Sequence, residues 1–260
     1  MIPYFQQPSL PIGPLTIHAF GVLVAVGILV GIRLIRQRAA ATGLDSAQAE
    51  RMAMWIVIGG FIISHLFDRL AYYPRETLAN PLSLFKFYDG ISSFGGFLGA
   101  ALMAAYYIRR WPDRTLRWRY LDLIAYALPT GWFFGRMGCF VAYDHPGRET
   151  TFFLGQRYSD HLVRHNLGLE EALYALPLAL LFLWLGRGGR QLRPGLFVGL
   201  VAVLYAPVRF LLDSLRTGDA RYFGLTPGQY SAIALLVVGI LILVRTKALA
   251  VPVPTASPNQ

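Results

Sequence analysis

The chain has 260 residues, 55% of them hydrophobic and only 15% charged, with a mean hydropathy of +0.46. This is the composition of a multi-span membrane protein and excludes an ordinary soluble domain. The formal charge of +10 comes almost entirely from arginine; in such a chain it reports orientation and contact with anionic membrane lipid, so no nucleic-acid partner is expected. A single cysteine excludes an internal disulfide framework and a cysteine-based metal cluster, and the five histidines show no metal-ligand spacing.

The first 17 residues hold no Lys or Arg, so they lack the basic start of a cleavable signal peptide, and the first apolar run is expected to stay as a helix. About 20 apolar residues cross the hydrocarbon of a bilayer. Seven stretches have that length, near 17–36, 52–69, 91–109, 120–141, 170–186, 195–216 and 227–245. The expected fold is therefore all-α and polytopic, with seven transmembrane helices. Pro129 and Pro207 interrupt the fourth and sixth stretches, which is tolerated where neighbouring helices satisfy the freed carbonyls. The pairs Gly27 and Gly31, Gly95 and Gly99, and Gly131 and Gly135 are each four residues apart, a spacing that lets helices approach closely. The one long excursion on the outer side, within about 142–168, forms a small periplasmic head. Val251-Pro252-Val253-Pro254 and the polar residues to Gln260 read as a disordered cytoplasmic tail. Residues 1–250 are then a single membrane domain.

The loops alternate in charge. Those after the first, third, fifth and seventh stretches hold Arg33, Arg36, Arg38 and Arg51; Arg109, Arg110, Arg114, Arg117 and Arg119; Arg187, Arg190 and Arg193; and Arg245 and Lys247, together 14 of the 24 basic residues. Positive charge gathers on the cytoplasmic side, so the N-terminus is expected outside and the C-terminus inside.

Two charged groups sit at the outer ends of apolar stretches. Arg136 lies in Gly135-Arg136-Met137-Gly138-Cys139-Phe140, followed by Asp144-His145-Pro146-Gly147-Arg148. An Arg at the hydrocarbon centre costs roughly 2.5–3.5 kcal/mol on insertion scales, so one at depth pairs with or binds something. In the sixth stretch Tyr205, Arg209, Asp213 and Arg216 follow at steps of four, four and three, which puts them on one helix face. The structural reading is an Arg-Asp-Arg ladder locking the helix; the functional one is an anion site, since Arg exceeds Asp. Gly138 and Gly147 would allow close backbone approach to a headgroup. Ser92 and Ser93 open the third stretch; they could donate to a phosphate or cap the helix. Glu170 and Glu171 begin the fifth. Cys139 reads as a small packed residue.

These motifs together resemble the phosphatidylglycerol–prolipoprotein diacylglyceryl transferase family, over nearly the whole chain. The family's Gly-Arg-x-Gly-Asn-Phe run with a following acid and Gly is matched by Gly135, Arg136, Gly138, Phe140, Asp144 and Gly147. Its Tyr-x-x-x-Arg-Phe-x-x-Glu-x-x-Arg pattern is matched by Tyr205, Arg209, Phe210, Asp213 and Arg216. Gly228-Gln229 with Ser231, Ser93 with Gly95-Gly96, and His18-Ala19-Phe20-Gly21 resemble further family positions. Departures are specific. Cys139 stands for Asn, Asp144 and Asp213 for Glu, Phe94 for a third-helix His, and Phe20 for Tyr. Of a His-Pro-x-Gln-Leu-Tyr-Glu stretch only His165, Leu169 and Glu171 remain.

The resemblance implies an enzyme of the bacterial inner membrane acting in lipoprotein biogenesis. It would move the diacylglyceryl group of phosphatidylglycerol to the lipobox cysteine thiol in the signal peptide of a prolipoprotein, releasing glycerol 1-phosphate, with no metal and no cofactor. Arg136 and Arg209 would act in catalysis, because guanidinium forks hold a leaving phosphate. Asp144 or His145 would take the thiol proton; alternatively the positive field of the Arg pair lowers the thiol pKa unaided. Gly138, Gly147, Ser92, Ser93, Tyr205, Asp213, Arg216 and Glu171 would line the substrate site. The alternative is a divergent paralogue that binds anionic phospholipid or serves a different acceptor.

Overall fold

The computed structural model describes residues 1–13, 15–86, 90, 92–144, 146–217 and 221–247. The chain is mostly helical, and two compact units divide it: Ile35–Leu121, and Met1–Leu34 together with Asp122–Gln260. Every apolar stretch expected to be a span falls in a helix. These are α1 (Ala19–Ala41), α2 (Ser46–Phe67), α4 (Ser93–Ile108), α5 (Arg114–Val141), α6 (Leu167–Leu185), α7 (Leu196–Ser214) and α8 (Pro227–Arg245). A short helix, α3 (Pro74–Ala79), follows a π-helical turn at Asp68–Tyr72. Five of the long helices (α1, α2, α6, α7 and α8) are long and apolar enough to cross a membrane. The shorter α4 has 16 residues, while α5 carries charge along its length. The chain is a multi-pass membrane protein.

The all-helical expectation is corrected by two small antiparallel sheets. Strands β1 (Ser9–Ile12) and β2 (Leu15–His18) form a hairpin ahead of α1. Strands β3 (Pro146–Glu149), β4 (Gln156–Arg157) and β5 (Val163–Asn166) form a sheet in the order β3-β5-β4, inside the stretch expected to be a head. The N-terminal segment joins it, since Ile2 N donates to Gly155 O at 2.8 Å and Arg157 N to Ile2 O at 2.9 Å. Beside it the Tyr143 hydroxyl donates to Phe5 O at 2.7 Å. Burial raises the Tyr143 phenol, and pushes that of Tyr158 up to about 12. The 251–260 tail lies outside the described residues.

In the Ile35–Leu121 unit, α2 and α4 pack backbone to backbone. A Cβ placed on Gly99 would lie 2.5 Å from Gly59 O, and one on Gly95 2.8 Å from Ile63 O. The Gly95/Gly99 spacing thus marks a close helix approach. Of the other two pairs only one member each makes such a contact. A Cβ on Gly27 would lie 3.0 Å from Gly131 O, whereas Gly31 and Gly135 have nothing within 4 Å.

In the other unit the apolar core is Ala125, Tyr126, Leu178, Phe182 and Phe197, from α5, α6 and α7. Asp122 of α5 fixes the start of α7: its carboxylate accepts from Gly195 N at 2.7 Å and Val198 N at 3.0 Å. A carboxylate at a helix N-terminus satisfies orphan donors and the macrodipole together.

Candidate active site

Two helices, α5 and α7, bring four polar side chains onto one buried carboxylate of α6. Glu171, in the first turns of α6, is 1% exposed. Its Oε1 accepts from Trp132 Nε1 of α5 at 2.8 Å and from the Tyr205 hydroxyl of α7. Its Oε2 lies 3.2 Å from Arg136 Nε and 3.5 Å from Arg209 Nη1. Trp132 and Arg136 are four apart on α5, so the guanidinium also stacks over the indole, 4.7 Å from the ring centroid. The α7 stripe continues the network outwards. Arg209 Nη2 reaches Asp213 Oδ1 at 2.9 Å, and Arg216 Nη1 lies 3.8 Å from the same oxygen.

Asp213 is itself 1% exposed, and its second oxygen accepts from the Thr226 hydroxyl. Thr226 caps α8 in a capping box with Gln229, whose Nε2 donates to Phe210 O at 3.3 Å. The start of α8 therefore rests on the carboxylate that holds Arg209. Gly228 makes the approach possible, because a Cβ there would lie 2.6 Å from Asp213 Oδ2.

The electrostatic balance is uneven. Three guanidiniums (Arg136, Arg209, Arg216) face two carboxylates (Glu171, Asp213). Burying an ion pair is favourable only when the remaining donors and acceptors are satisfied. Here the carboxylates are saturated while the arginine side chains stay 15–24% exposed. The cluster can therefore accept a further anion on its exposed guanidinium edges. The Arg-Asp-Arg ladder is real, with Arg216 the more distant of its two arginines from Asp213.

The expected site residues divide into two sets. Arg136, Arg209, Tyr205, Asp213, Arg216 and Glu171 belong to this one network, and Glu171 is its centre. Gly138 abuts α1: a Cβ there would lie 3.0 Å from Phe20 Cδ2. Gly147, in β3, bridges Arg216, and Arg148 N donates to Leu215 O at 2.9 Å, which ties the sheet to the end of α7. Asp144 sits exposed on the turn after α5, its N donating to Cys139 O at 3.1 Å, and is outside the Glu171 network. His145 lies outside the described residues. Ser92 is the N-cap of α4, accepting from Gly95 N at 3.4 Å, while Ser64 Oγ donates to Ser92 O at 2.6 Å; its capping role accounts for its position. Ser93 opens α4. Cys139 is buried, its Sγ 3.9 Å from Arg136 Nη1.

Sequence reasoning missed Trp132 and Thr226, and named Gln229 only as a position resembling the family, without a role. The Thr226-Pro227-Gly228-Gln229 run is a readable capping signature, and Trp132 stands one helical turn before Arg136. Nothing in the sequence pairs either with a carboxylate.

A profile of the prolipoprotein diacylglyceryl transferase family matches residues 8–245 of the chain. Three similar proteins share the name phosphatidylglycerol–prolipoprotein diacylglyceryl transferase. The one from Janthinobacterium sp. (strain Marseille) is 34% identical over 90% of this chain and 93% of its own length. That from Nitratidesulfovibrio vulgaris (strain DSM 19637 / Miyazaki F) is 32% identical over 95% and 96%. That from Tolumonas auensis is 28% identical over 89% and 92%.

Proposed function

The chain belongs to the prolipoprotein diacylglyceryl transferase family, and we infer that it moves the diacylglyceryl group of phosphatidylglycerol onto a prolipoprotein. The acceptor is the lipobox cysteine of the precursor's signal peptide, and the products are a thioether and glycerol 1-phosphate. The observation that carries this reading is the convergence of Arg136 and Arg209 on buried Glu171.

Chemically, the sulfur must attack a glyceryl carbon while a phosphate monoester leaves. Arg136 and Arg209 meet the second demand. Their forks stay charged, and Glu171, Trp132 and Asp213 hold them in place before the lipid arrives, so little reorganisation accompanies the growth of charge on the phosphate. Tyr205 and Asp213 act by fixing Glu171 and Arg209, and Arg216 adds an outer positive charge beside Gly147. Gly138 and Gly147 keep the backbone close around the headgroup, and Ser92 and Ser93 lie at the outer end of α4.

The membrane arrangement that suits this chemistry has seven spans in one domain over 1–250. The N-terminus and the sheet-bearing head lie outside the bacterial inner membrane, and the C-terminal tail lies in the cytoplasm. The charges at the helix ends support it: Arg33, Arg36 and Arg38 lie in the last turns of α1, Arg109 and Arg110 follow α4, Arg187, Arg190 and Arg193 follow α6, and Arg245 and Lys247 stand at the end of α8. Labelling single cysteines at Arg114 and Tyr158 from either side tests it; reagent reaching both from one side would refute the arrangement.

The activity test mixes purified protein, phosphatidylglycerol and a lipobox peptide, following glycerol phosphate release and peptide mass. Wild type should add one diacylglyceryl mass. Arg136→Ala and Arg209→Ala should each lose about 100–1,000-fold in rate, the loss seen for removal of one donor to a developing oxyanion. Full activity in both variants would sink the anion-clamp role.

A further inference from the structure

We propose that His165 and Glu170 form the base that takes the proton of the acceptor thiol. The proposal rests on the transferase reading above and names the chemical group which that reading still needs. A thiol becomes a competent nucleophile only as thiolate. The position that the resemblance matches to a third-helix His is Phe94 here, so that position supplies no base.

His165 ends β5, and Glu170 lies in the first turn of α6. Nδ1 of the imidazole lies 2.6 Å from Glu170 Oε1, with the two side chains 19% and 13% exposed. A carboxylate only accepts, so the Nδ1 proton is donated to Glu170 and the lone pair is left on Nε2. Among the described residues Nε2 has no hydrogen-bond partner. A carboxylate that orients an imidazole and stabilises its protonated form is the arrangement of a general base. The family stretch that residues 165–171 resemble has Tyr where this chain has Glu170.

The surroundings hold the ring still. Asn166, the next residue, caps α6 by accepting from Leu169 N at 3.0 Å, and its Nδ2 donates to Gln156 Oε1 at 2.5 Å and to Phe140 O at 3.3 Å. The joint is thereby fixed to the end of α5, the helix that carries Arg136. Phe152 stacks on the imidazole, its ring centroid 6.0 Å away. Gly147 lies against His165, since a Cβ on Gly147 would be 2.8 Å from His165 Cβ, and Gly147 also bridges Arg216. Glu170 and Glu171 are consecutive on α6, about 100° apart around the helix. One carboxylate serves the arginines and its neighbour serves the histidine.

The step balances as follows. His165 Nε2 takes the thiol proton, and the sulfur pair forms the bond to the glyceryl carbon. The carbon–oxygen bond to phosphate breaks with its pair on the phosphate oxygen, which the guanidiniums neutralise. The imidazolium then returns its proton to the departing glycerol phosphate.

The test compares two acceptor peptides with full-length protein, one with cysteine in the lipobox and one with reduced selenocysteine, whose selenol is ionised at neutral pH without help. With the cysteine peptide, His165→Gln should lose about 100-fold or more in kcat, as removal of a general base does, with little change in KM and phosphatidylglycerol binding retained. Glu170→Gln should lose less. With the selenocysteine peptide both variants should come within a few-fold of wild type. Equal losses on both peptides would make the pair structural and overturn the proposal. An unchanged rate for His165→Gln would do the same and return the role to Asp144 or His145. Wild-type protein inert towards both peptides would instead overturn the transferase reading, and the dyad's role with it.

Discussion

The α2–α4 seam and the Glu171 network solve the same problem, holding helices together where lipid offers no hydrophobic drive, by opposite means. Between α2 and α4 side chains are deleted, and Gly95, Gly99 and Gly59 let backbones meet. Around Glu171 side chains are added, and α5, α6 and α7 are joined by ion pairs and hydrogen bonds to one carboxylate. Shape suffices where helices only need to stay together. Charge is used where, in the function proposed above, the same residues also receive an anion. Buried charge is an expensive way to pack, so its presence at this place marks function more than stability.

Breaking the charged region should cost most. Glu171→Ala strands Arg136 and leaves Arg209 only Asp213, and removing one partner from a buried pair costs about 3–5 kcal/mol; unfolding in detergent should show a loss of that order, together with loss of transfer. A stability near wild type would mean that water or lipid already satisfies the arginines. The glycine seam should be less sensitive. Gly99→Val would push a side chain onto Gly59 O, and overpacking of this kind costs about 1–3 kcal/mol. Its unfolding midpoint should drop, whereas an unchanged midpoint would show that the seam can open. Thr226→Val should be the mildest, about 1 kcal/mol for the lost cap. Even so, it should reduce kcat more than Gly99→Val does per folded molecule, since Asp213 loses a donor and Arg209 its fixed partner. The reverse order of kcat would show that the two regions do not divide the work as described.

Much of the fold was legible because apolar runs of spanning length have few other uses. Helix ends were less so. α5 begins at Arg114, ahead of the expected 120, because Asp113 accepts from Thr115 N at 2.9 Å and Leu116 N at 3.1 Å. α1 runs on to Ala41 because Gln37-Arg38-Ala39-Ala40 are good helix formers, and the chain turns only at Gly43, with φ +71°. The short strands β1 and β2 have no alternation long enough to read. In the candidate site, the Tyr205–Arg209–Asp213 face followed from helical spacing, whereas Arg216 lies past the end of α7 and reaches Asp213 from its bridge with Gly147. The centrality of Glu171 did not, because nothing within α6 says that α5 and α7 deliver arginines to it. The dyad was hidden for a related reason: His165 and Glu170 are five apart across a strand-to-helix joint, where no single period applies.

The support that α8 gives to Asp213 has a consequence for how the protein comes into being. A ribosome delivers Trp132 and Arg136 first, then Glu171, then Tyr205, Arg209 and Asp213, and Thr226 last. Until the final helix is inserted, the carboxylate that steadies Arg209 lacks its hydroxyl donor, so the nascent polypeptide carries an unfinished centre. Competence on this reading arrives only with Thr226 and α8, and a chain halted before them would sit in the membrane without a completed site.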